Sequence, residues 1–227
     1  MILRAENISK IYRQGSASLE ILKGVSIEIA KSETVAIMGR SGCGKSTLIS
    51  LLAGLDVATS GDVEIAGRKL GNLSGRQLNQ FRAQSVGIIF QQFHLLDHLT
   101  ALENIRLPLD LNSEPDADQR AAALIGAVGL SARAEHFPGQ MSRGECQRIA
   151  IARVLVRRPQ IVLADEPTGS LDVRTGREVM DLIFRLTEQM GCALLLVTHD
   201  RSLATRCSRT LYMDDGRLTD QRPAGLT

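Results

Sequence analysis

The chain has 227 residues, of which 44% are hydrophobic and 23% charged, values that are ordinary for a globular protein and exclude a largely disordered chain. A net charge of +2, interleaved acids and bases, and 3% aromatic residues argue against a nucleic-acid surface. The cysteines Cys43, Cys146, Cys192 and Cys207 form no CxxC pair, which predicts reduced thiols in a cytosolic protein. No apolar run is long enough to span a bilayer.

Short apolar segments alternate with longer helical patterns, which predicts an α/β fold with a mainly parallel sheet. Strands are predicted at residues 25–29, 34–38, 86–90, 161–164, 193–198 and 210–213. Residues 61–67 alternate between two glycine turns and predict a hairpin, part of an antiparallel β-subdomain on the N-terminal side.

Helical patterns replace strands between residues 91 and 159. We predict a short helix at 102–107, an alanine-rich helix at 116–128 that ends at Gly129, and a third helix at 144–156. The chain is therefore predicted to be a single domain, 1–227. A core formed by residues 1–90 and 160–227 would carry an inserted helical subdomain at about 91–159.

The pattern G-x-x-x-x-G-K-[ST] follows the second predicted strand and opens a helix, as in a phosphate-binding loop. Its glycines allow successive backbone N–H groups to surround a triphosphate at a helix N-terminus. Lys45 would contact the β and γ phosphates of ATP, and the Ser46 hydroxyl would bind Mg²⁺. The predicted nucleotide-binding residues of this loop are Gly39, Arg40, Ser41, Gly42, Cys43, Gly44, Lys45, Ser46 and Thr47.

Polar groups also follow two other buried strands. Asp165 and Glu166 end the strand at 161–164, and His199 follows the strand at 193–198. Parallel strands present their C-terminal ends to one ligand crevice, so these side chains are predicted to meet the phosphate-binding loop. Asp165 would hold Mg²⁺ through water, Glu166 would act as the general base, and His199 would lie beside the γ-phosphate.

The segment M-S-R-G-E-C-Q-R at 141–148 resembles the signature motif of ABC ATPases. The order of the motifs is also similar, and the resemblance covers essentially the whole chain. It implies a P-loop NTPase core of the ABC ATPase type. It also implies a head-to-tail dimer with a second copy, in which each ATP lies between one phosphate-binding loop and the partner's signature motif.

The resemblance also implies roles for individual residues. Tyr12 would stack on adenine. Gln91 would touch Mg²⁺ and sense a membrane partner. Gln91, Lys45, Glu166 and His199 would together form the catalytic group. At the signature, Ser142 and Gly144 would bind the γ-phosphate held by the opposite chain, with Glu145 adjoining the nucleotide. Arg143 departs from the pattern, because it replaces the first glycine of the motif. A requirement for a positive φ at that position would strain an arginine.

Segments 54–56, 77–82, 90–96 and 99–105 resemble the ATPase subunits of bacterial lipoprotein-releasing, macrolide-exporting and peptide-sensing transporters. That resemblance implies a partner permease of the FtsX-like type, docked near residues 91–102. It places the chain as a peripheral protein on the cytoplasmic face of the bacterial inner membrane. Leu95, Leu96 and Leu99 would either dock the permease or belong to the core of the helical subdomain.

Other readings fit the sequence less well. The ATPase subunit of an amino-acid importer is the alternative within transport. A soluble ABC ATPase acting on nucleic acid or ribosomes would usually carry paired ATPase halves, coiled-coil insertions or zinc insertions, so no nucleic-acid partner is expected. A P-loop kinase or a small GTPase would have no role for the signature motif or for His199.

Overall fold

The structure is a computed structural model that describes residues 1–15 and 17–222. Its strands are β1 (Leu3–Gln14), β2 (Ala17–Ile29), β3 (Thr34–Gly39), β4 (Ser60–Ile65), β5 (Arg68–Lys69), β6 (Val86–Ile89), β7 (Ile161–Asp165), β8 (Ala193–Val197), β9 (Arg209–Asp214) and β10 (Arg217–Thr219). Its α-helices are α1 (Lys45–Leu52), α2 (Gly75–Ser85), α3 (Ala101–Asp110), α4 (Ala117–Ala127), α5 (Arg143–Leu155), α6 (Val173–Gln189) and α7 (Arg201–Ala204). Short 3₁₀ turns lie at Leu70–Asn72, Ser131–Arg133 and Pro138–Gln140.

The strands form two sheets. The larger sheet has the order β10-β9-β3-β8-β7-β6, and its strands are parallel except for β10, which is antiparallel to β9. The smaller sheet is antiparallel and has the order β2-β1-β4-β5. The predicted α/β fold, with a mainly parallel sheet and an N-terminal antiparallel sheet, is confirmed.

Helix α1 packs between the two sheets. Its Leu48 and Leu52 belong to the same buried cluster as Leu22 of the antiparallel sheet and Ile37 and Leu163 of the parallel sheet. This packing fixes the direction of α1 and therefore the position of the loop that precedes it.

The central strands of the parallel sheet are buried on both faces, as their apolar sequences predict. Along β7, Ile161 and Leu163 face the cluster around α1, whereas Val162 and Ala164 face the cluster formed with α3, α4, α5 and α6. The strands are thus held rigidly from both sides, and so are the polar residues that follow them.

Three helices, α3, α4 and α5, lie between β6 and β7 in the chain, within the predicted helical segment. The predicted extent of α3 was wrong, because it runs from Ala101 to Asp110 with Pro108 inside it. Its first turn is closed by a capping box in which Thr100 and Glu103 exchange hydrogen bonds. No helix in the described part of the chain is long and apolar enough to cross a membrane.

Two strand predictions also differ from the structure. Residues 61–67 do not form a complete hairpin, since β4 pairs mainly with β1 and turns at Ala66 and Gly67 into the short β5. Strand β1 was not predicted. Its register against β2 shifts three times between Ala5 and Ile11, which breaks the alternation of apolar and polar residues that marks a strand.

Candidate functional site

The predicted phosphate-binding loop connects β3 to α1. Gly42 and Gly44 have φ values of 79° and 105°, a region that side chains rarely adopt. A Cβ atom at Gly39 would collide with the carbonyl oxygen of Met213, and one at Gly44 would lie 2.9 Å from Leu22 Cδ2. The glycines are therefore required by the backbone path of the loop itself.

Lys45 opens α1 and is only 7% exposed. Its ammonium donates hydrogen bonds to the carbonyl oxygens of Gly39 (2.9 Å) and Arg40 (2.8 Å), so it spans the loop. The first N–H groups of a helix lack acceptors within the helix and carry partial positive charge, which favours an anion. The loop thus presents both a fixed cation and backbone donors to a phosphate chain.

A cavity of about 340 Å³ adjoins this loop. It brings together four groups from three separate segments of the sequence: Ser46, Gln91, and the neighbouring Asp165 and Glu166. The other lining residues are Ile21, Ser41, Gly42, Gly44, Lys45 and Thr47. Tyr12, Gly39, Arg40, Cys43 and His199 do not line it, although the last four adjoin it through Lys45 or Glu166.

Asp165 ends β7 beside α1. Burial raises the pKa of its carboxyl, and the charge of Glu166 acts in the same direction. A hydrogen bond with the Ser46 side chain and the charge of Lys45 oppose that increase of the pKa. A cation bound near this carboxyl would lower its pKa, because the positive charge favours the ionised form.

Glu166 follows Asp165 in a left-handed conformation, with φ of 44°. Its N–H donates to the carbonyl oxygen of Val197 at 3.0 Å, which ties it to the end of β8. The Oε2 atom of Glu166 lies 3.3 Å from Nδ1 of His199. Strained backbone that is held in place by neighbouring strands is typical of functional positions. The structure therefore brings Glu166 and His199 into one pair, as predicted from their strand ends.

Gln91 lies beyond β6 and packs against the loop that follows Glu166. The Ser170 hydroxyl donates to the carbonyl oxygen of Gln91 at 3.2 Å. A Cβ atom at Gly169 would lie 2.9 Å from Nε2 of Gln91, so the absence of a side chain at Gly169 permits this approach. The position of Gln91 is thus coupled to the segment that carries Glu166.

The signature segment forms the start of α5. Ser142 is the N-cap: its Oγ accepts from the N–H of Glu145 at 3.3 Å, and the Glu145 carboxylate accepts from the N–H of Ser142 at 2.8 Å. The second carboxylate oxygen of Glu145 pairs with Arg133 at 3.2 Å. Glu145 therefore has a capping role, and its predicted contact with nucleotide stays a prediction. Gly144 is buried where a Cβ atom would press against Thr175.

Ser142 and Gly144 do not line the cavity at the phosphate-binding loop. Ser142 is exposed at the N-terminus of α5. Within the described part of the chain, the two predicted halves of the nucleotide site are therefore separate.

Arg143 is the first residue of α5, is exposed, and is not among the described residues with positive φ. An arginine at this position is consequently unstrained. We expect Arg143→Gly to change the rate of ATP turnover by less than about threefold, or about 0.7 kcal/mol in the barrier. Steady-state phosphate release checks this value. A gain of about tenfold would instead show that Arg143 slows turnover.

Tyr12 lies on β1 with 45% of its surface exposed, and its hydroxyl donates to Asp56 Oδ2 at 2.9 Å. The sequence did not indicate the contact between Asp56 and Tyr12, or the second contact of Asp56, with Lys10. Lys10 and Asp56 lie 46 residues apart in the chain. Only the turn after α1 brings them together.

Comparisons with known proteins identify the family of this chain. The family model described as ABC transporter matches residues 22–169. The lipoprotein-releasing system ATP-binding protein LolD of Bordetella pertussis is 46% identical over 218 residues, which cover 95% of this chain and 94% of that protein. The proteins of the same name from Bordetella parapertussis and Bordetella bronchiseptica match equally well.

Two solved structures are also similar. A dimeric post-hydrolysis state of the ATP-binding cassette MJ0796 bound to ADP and Pi has a TM-score of 0.88 and 38% identity, covering 100% of this chain and 99% of that chain. A dimeric structure of MJ0796, a bacterial ABC transporter cassette, has the same TM-score and identity, covering 98% of this chain and all of that chain. With a matching family model and close relatives over nearly its full length, this chain belongs to the ABC transporter family as an ATP-binding ATPase.

Proposed function

We propose that the chain works as one half of a head-to-tail dimer of two copies and powers an FtsX-like permease that releases lipoproteins. The observation that carries the dimer is the separation of Ser142 and Gly144 from the protomer's own phosphate-binding cavity. The two MJ0796 structures are dimeric, and the relatives named LolD belong to lipoprotein-releasing systems. The permease would hold the chain at the cytoplasmic face of the bacterial inner membrane.

The proposed chemistry is transfer of the γ-phosphoryl group of ATP to water. Lys45 and the N-terminus of α1 hold the phosphates, and the partner's Ser142 and Gly144 close the other side. Glu166 orients and polarises the attacking water as a general base, while His199 hydrogen-bonds the γ-phosphate and keeps Glu166 in position. Tyr12 stacks on the adenine ring.

Mg²⁺ fits the residues that are present. Ser46, Gln91 and Asp165 offer a hydroxyl, an amide and a carboxylate oxygen at one cavity, and Mg²⁺ prefers oxygen ligands of this kind. When bound, the ion would supply positive charge that offsets the negative charge of the phosphates. The Ser46 side chain lowers the pKa of the Asp165 carboxyl, so these two groups are neighbours.

The permease would contact residues 91–102. Leu96 is 37% exposed there, whereas Leu95 and Leu102 pack against the core that includes α3, α4 and α5. Arg153 of α5 donates to the carbonyl oxygens of Phe93 (2.9 Å) and His94 (2.7 Å), so the docking segment is tied to the helix that begins at the signature.

We expect Leu96→Glu to lower co-purification with a co-expressed FtsX-like permease by about tenfold, because a charge would be buried in an apolar contact. Leu111→Glu is the matched control, since Leu111 is 75% exposed but lies outside residues 91–102. The basal ATPase rate of both variants should stay unchanged. Equal recovery of the permease with both variants would contradict docking at Leu96.

The alternative within transport is the ATPase subunit of an amino-acid importer. A neighbouring gene for a periplasmic binding protein would favour that alternative.

A further inference from the structure

A group of polar contacts surrounds the exposed Tyr12 ring. Asp56 accepts the Tyr12 hydroxyl on Oδ2 at 2.9 Å and the Lys10 ammonium on Oδ1 at 2.7 Å. Lys10 has a side chain only 12% exposed, although it lies on the same strand as the exposed tyrosine. Lys10 also donates to the carbonyl oxygen of Val57 at 2.7 Å. The Lys10 ammonium and the Asp56 carboxylate therefore each have more than one hydrogen-bond partner.

Asp56 is in turn fixed to the helix of the phosphate-binding loop. Its N–H and that of Leu55 both donate to the carbonyl oxygen of Ser50, at 3.3 Å and 2.8 Å, near the end of α1. The Asp56 carboxylate accepts the N–H of Val57 at 2.7 Å, which sets its direction. Asp56 therefore connects the position of the Tyr12 ring to the frame of α1, the helix that begins at Lys45.

The Tyr12 ring is also restricted on one side. The Lys10 ammonium lies 4.9 Å from the ring centroid, a cation–π distance. Its hydroxyl is fixed separately, by the hydrogen bond to Asp56 Oδ2 at 2.9 Å. The ring therefore has one face against a cation, its edge fixed at the hydroxyl, and the remaining surface open.

A comparison within the same sheet shows that this arrangement is more than an ordinary surface ion pair. Lys69 and Asp62 are 3.1 Å apart on neighbouring strands, and both side chains are about half exposed, at 48% and 59%. Such exposed pairs contribute little to stability. The pair of Lys10 and Asp56 is more buried, and it also holds an exposed aromatic ring by the ring's only polar atom.

We propose that Asp56, with Lys10, is a positioning residue that holds the Tyr12 ring for stacking against the base of a nucleoside triphosphate. This inference rests on the proposed stacking of Tyr12. An exposed tyrosine loses rotamer freedom when it binds a base, and a ring that is already fixed avoids that cost. Asp56 itself would not touch the nucleotide, and its effect would pass entirely through Tyr12.

The test compares the dissociation constants of ATP and of inorganic tripolyphosphate by titration calorimetry of the full chain. Tyr12→Ala should weaken ATP binding by about tenfold, since stacking on an aromatic ring is worth about that factor. Asp56→Ala should weaken it about fivefold, a loss somewhat smaller than that of the ring itself. Neither variant should change tripolyphosphate binding. Asp62→Ala is the matched control and should bind both ligands normally.

The double variant of Tyr12→Ala and Asp56→Ala decides whether Asp56 acts through the ring. We expect it to bind ATP no more weakly than Tyr12→Ala, because the second change removes only support for an absent ring. Tyr12→Phe keeps the ring but not the hydroxyl, and should reproduce the loss seen with Asp56→Ala even if the latter folds poorly.

Additive losses in the double variant, or an equal loss of tripolyphosphate binding, would overturn the positioning role. An unchanged ATP affinity in Tyr12→Ala would overturn it as well. If the unsubstituted chain bound neither ligand, the proposed nucleotide site itself would be wrong, which is a distinguishable result.

Discussion

Glu166→Gln is expected to lower ATP hydrolysis by about a hundredfold or more, the size of a general-base contribution, while ATP binding is retained. Glutamine keeps the size of the side chain, and the φ of 44° is fixed by the backbone hydrogen bond to Val197. What is lost is the carboxylate that would accept a proton from water beside His199, 3.3 Å away. The variant should therefore bind ATP and stop before the phosphoryl transfer.

The same variant should accumulate as a closed dimer in the presence of ATP, because opening of the dimer would follow hydrolysis. Light scattering after size-exclusion chromatography measures the mass with and without ATP. Glu188→Gln, at an exposed position of α6, is the matched control and should hydrolyse ATP normally. Hydrolysis by Glu166→Gln at the rate of the unsubstituted chain would show that another group is the base.

Ser142→Asp is expected to reduce hydrolysis by about a hundredfold without weakening the binding of ATP to a single chain. Aspartate is as good an N-cap as serine, so α5 should keep its first turn. The added carboxylate would, however, face the γ-phosphate held by the partner and repel it. The helix is thus preserved while its ligand is rejected.

Thr100→Asp is the matched control, because Thr100 caps α3 with a capping box that also has an acidic partner, Glu103. It should alter neither the melting temperature nor the hydrolysis rate by much. Calorimetric titration with ATP and steady-state phosphate release separate the two effects of Ser142→Asp. A normal rate in Ser142→Asp would remove the signature segment from the nucleotide site.

The phosphate-binding loop could be predicted from the sequence because its requirements are local. Glycine is needed where φ is 79° at Gly42 and 105° at Gly44, and Lys45 must open the following helix. The end of the strand that carries Asp165 and Glu166 was also predictable from a local pattern. Their strand is buried on both faces and reads as a continuous apolar run.

Features that depend on long-range pairing were harder to predict. Strand β1 was missed because bulges interrupt its alternation of apolar and polar residues. Helix α3 was predicted too short because a proline such as Pro108 usually marks a helix end. The contacts of Lys10 with Asp56 depend on how β1 meets the turn after α1, which no sequence pattern marks. Capping by Glu145 was recognisable in principle, because Ser142 and Glu145 have the spacing of a capping box.

The central claim is that one chain holds ATP but two chains are needed to hydrolyse it. Mixing two inactive variants tests this claim directly. Lys45→Met removes the buried ammonium that spans the loop, and Ser142→Asp blocks the signature, so each variant alone should be nearly inactive.

In a head-to-tail dimer of the two variants, one site combines the intact loop of one chain with the intact signature of the other. An equimolar mixture should then recover about a quarter of the activity of the unsubstituted protein, since half of the dimers are mixed and each has one intact site of two. Recovered phosphate release at that level would support the shared site. A mixture that stays as inactive as its components would contradict it.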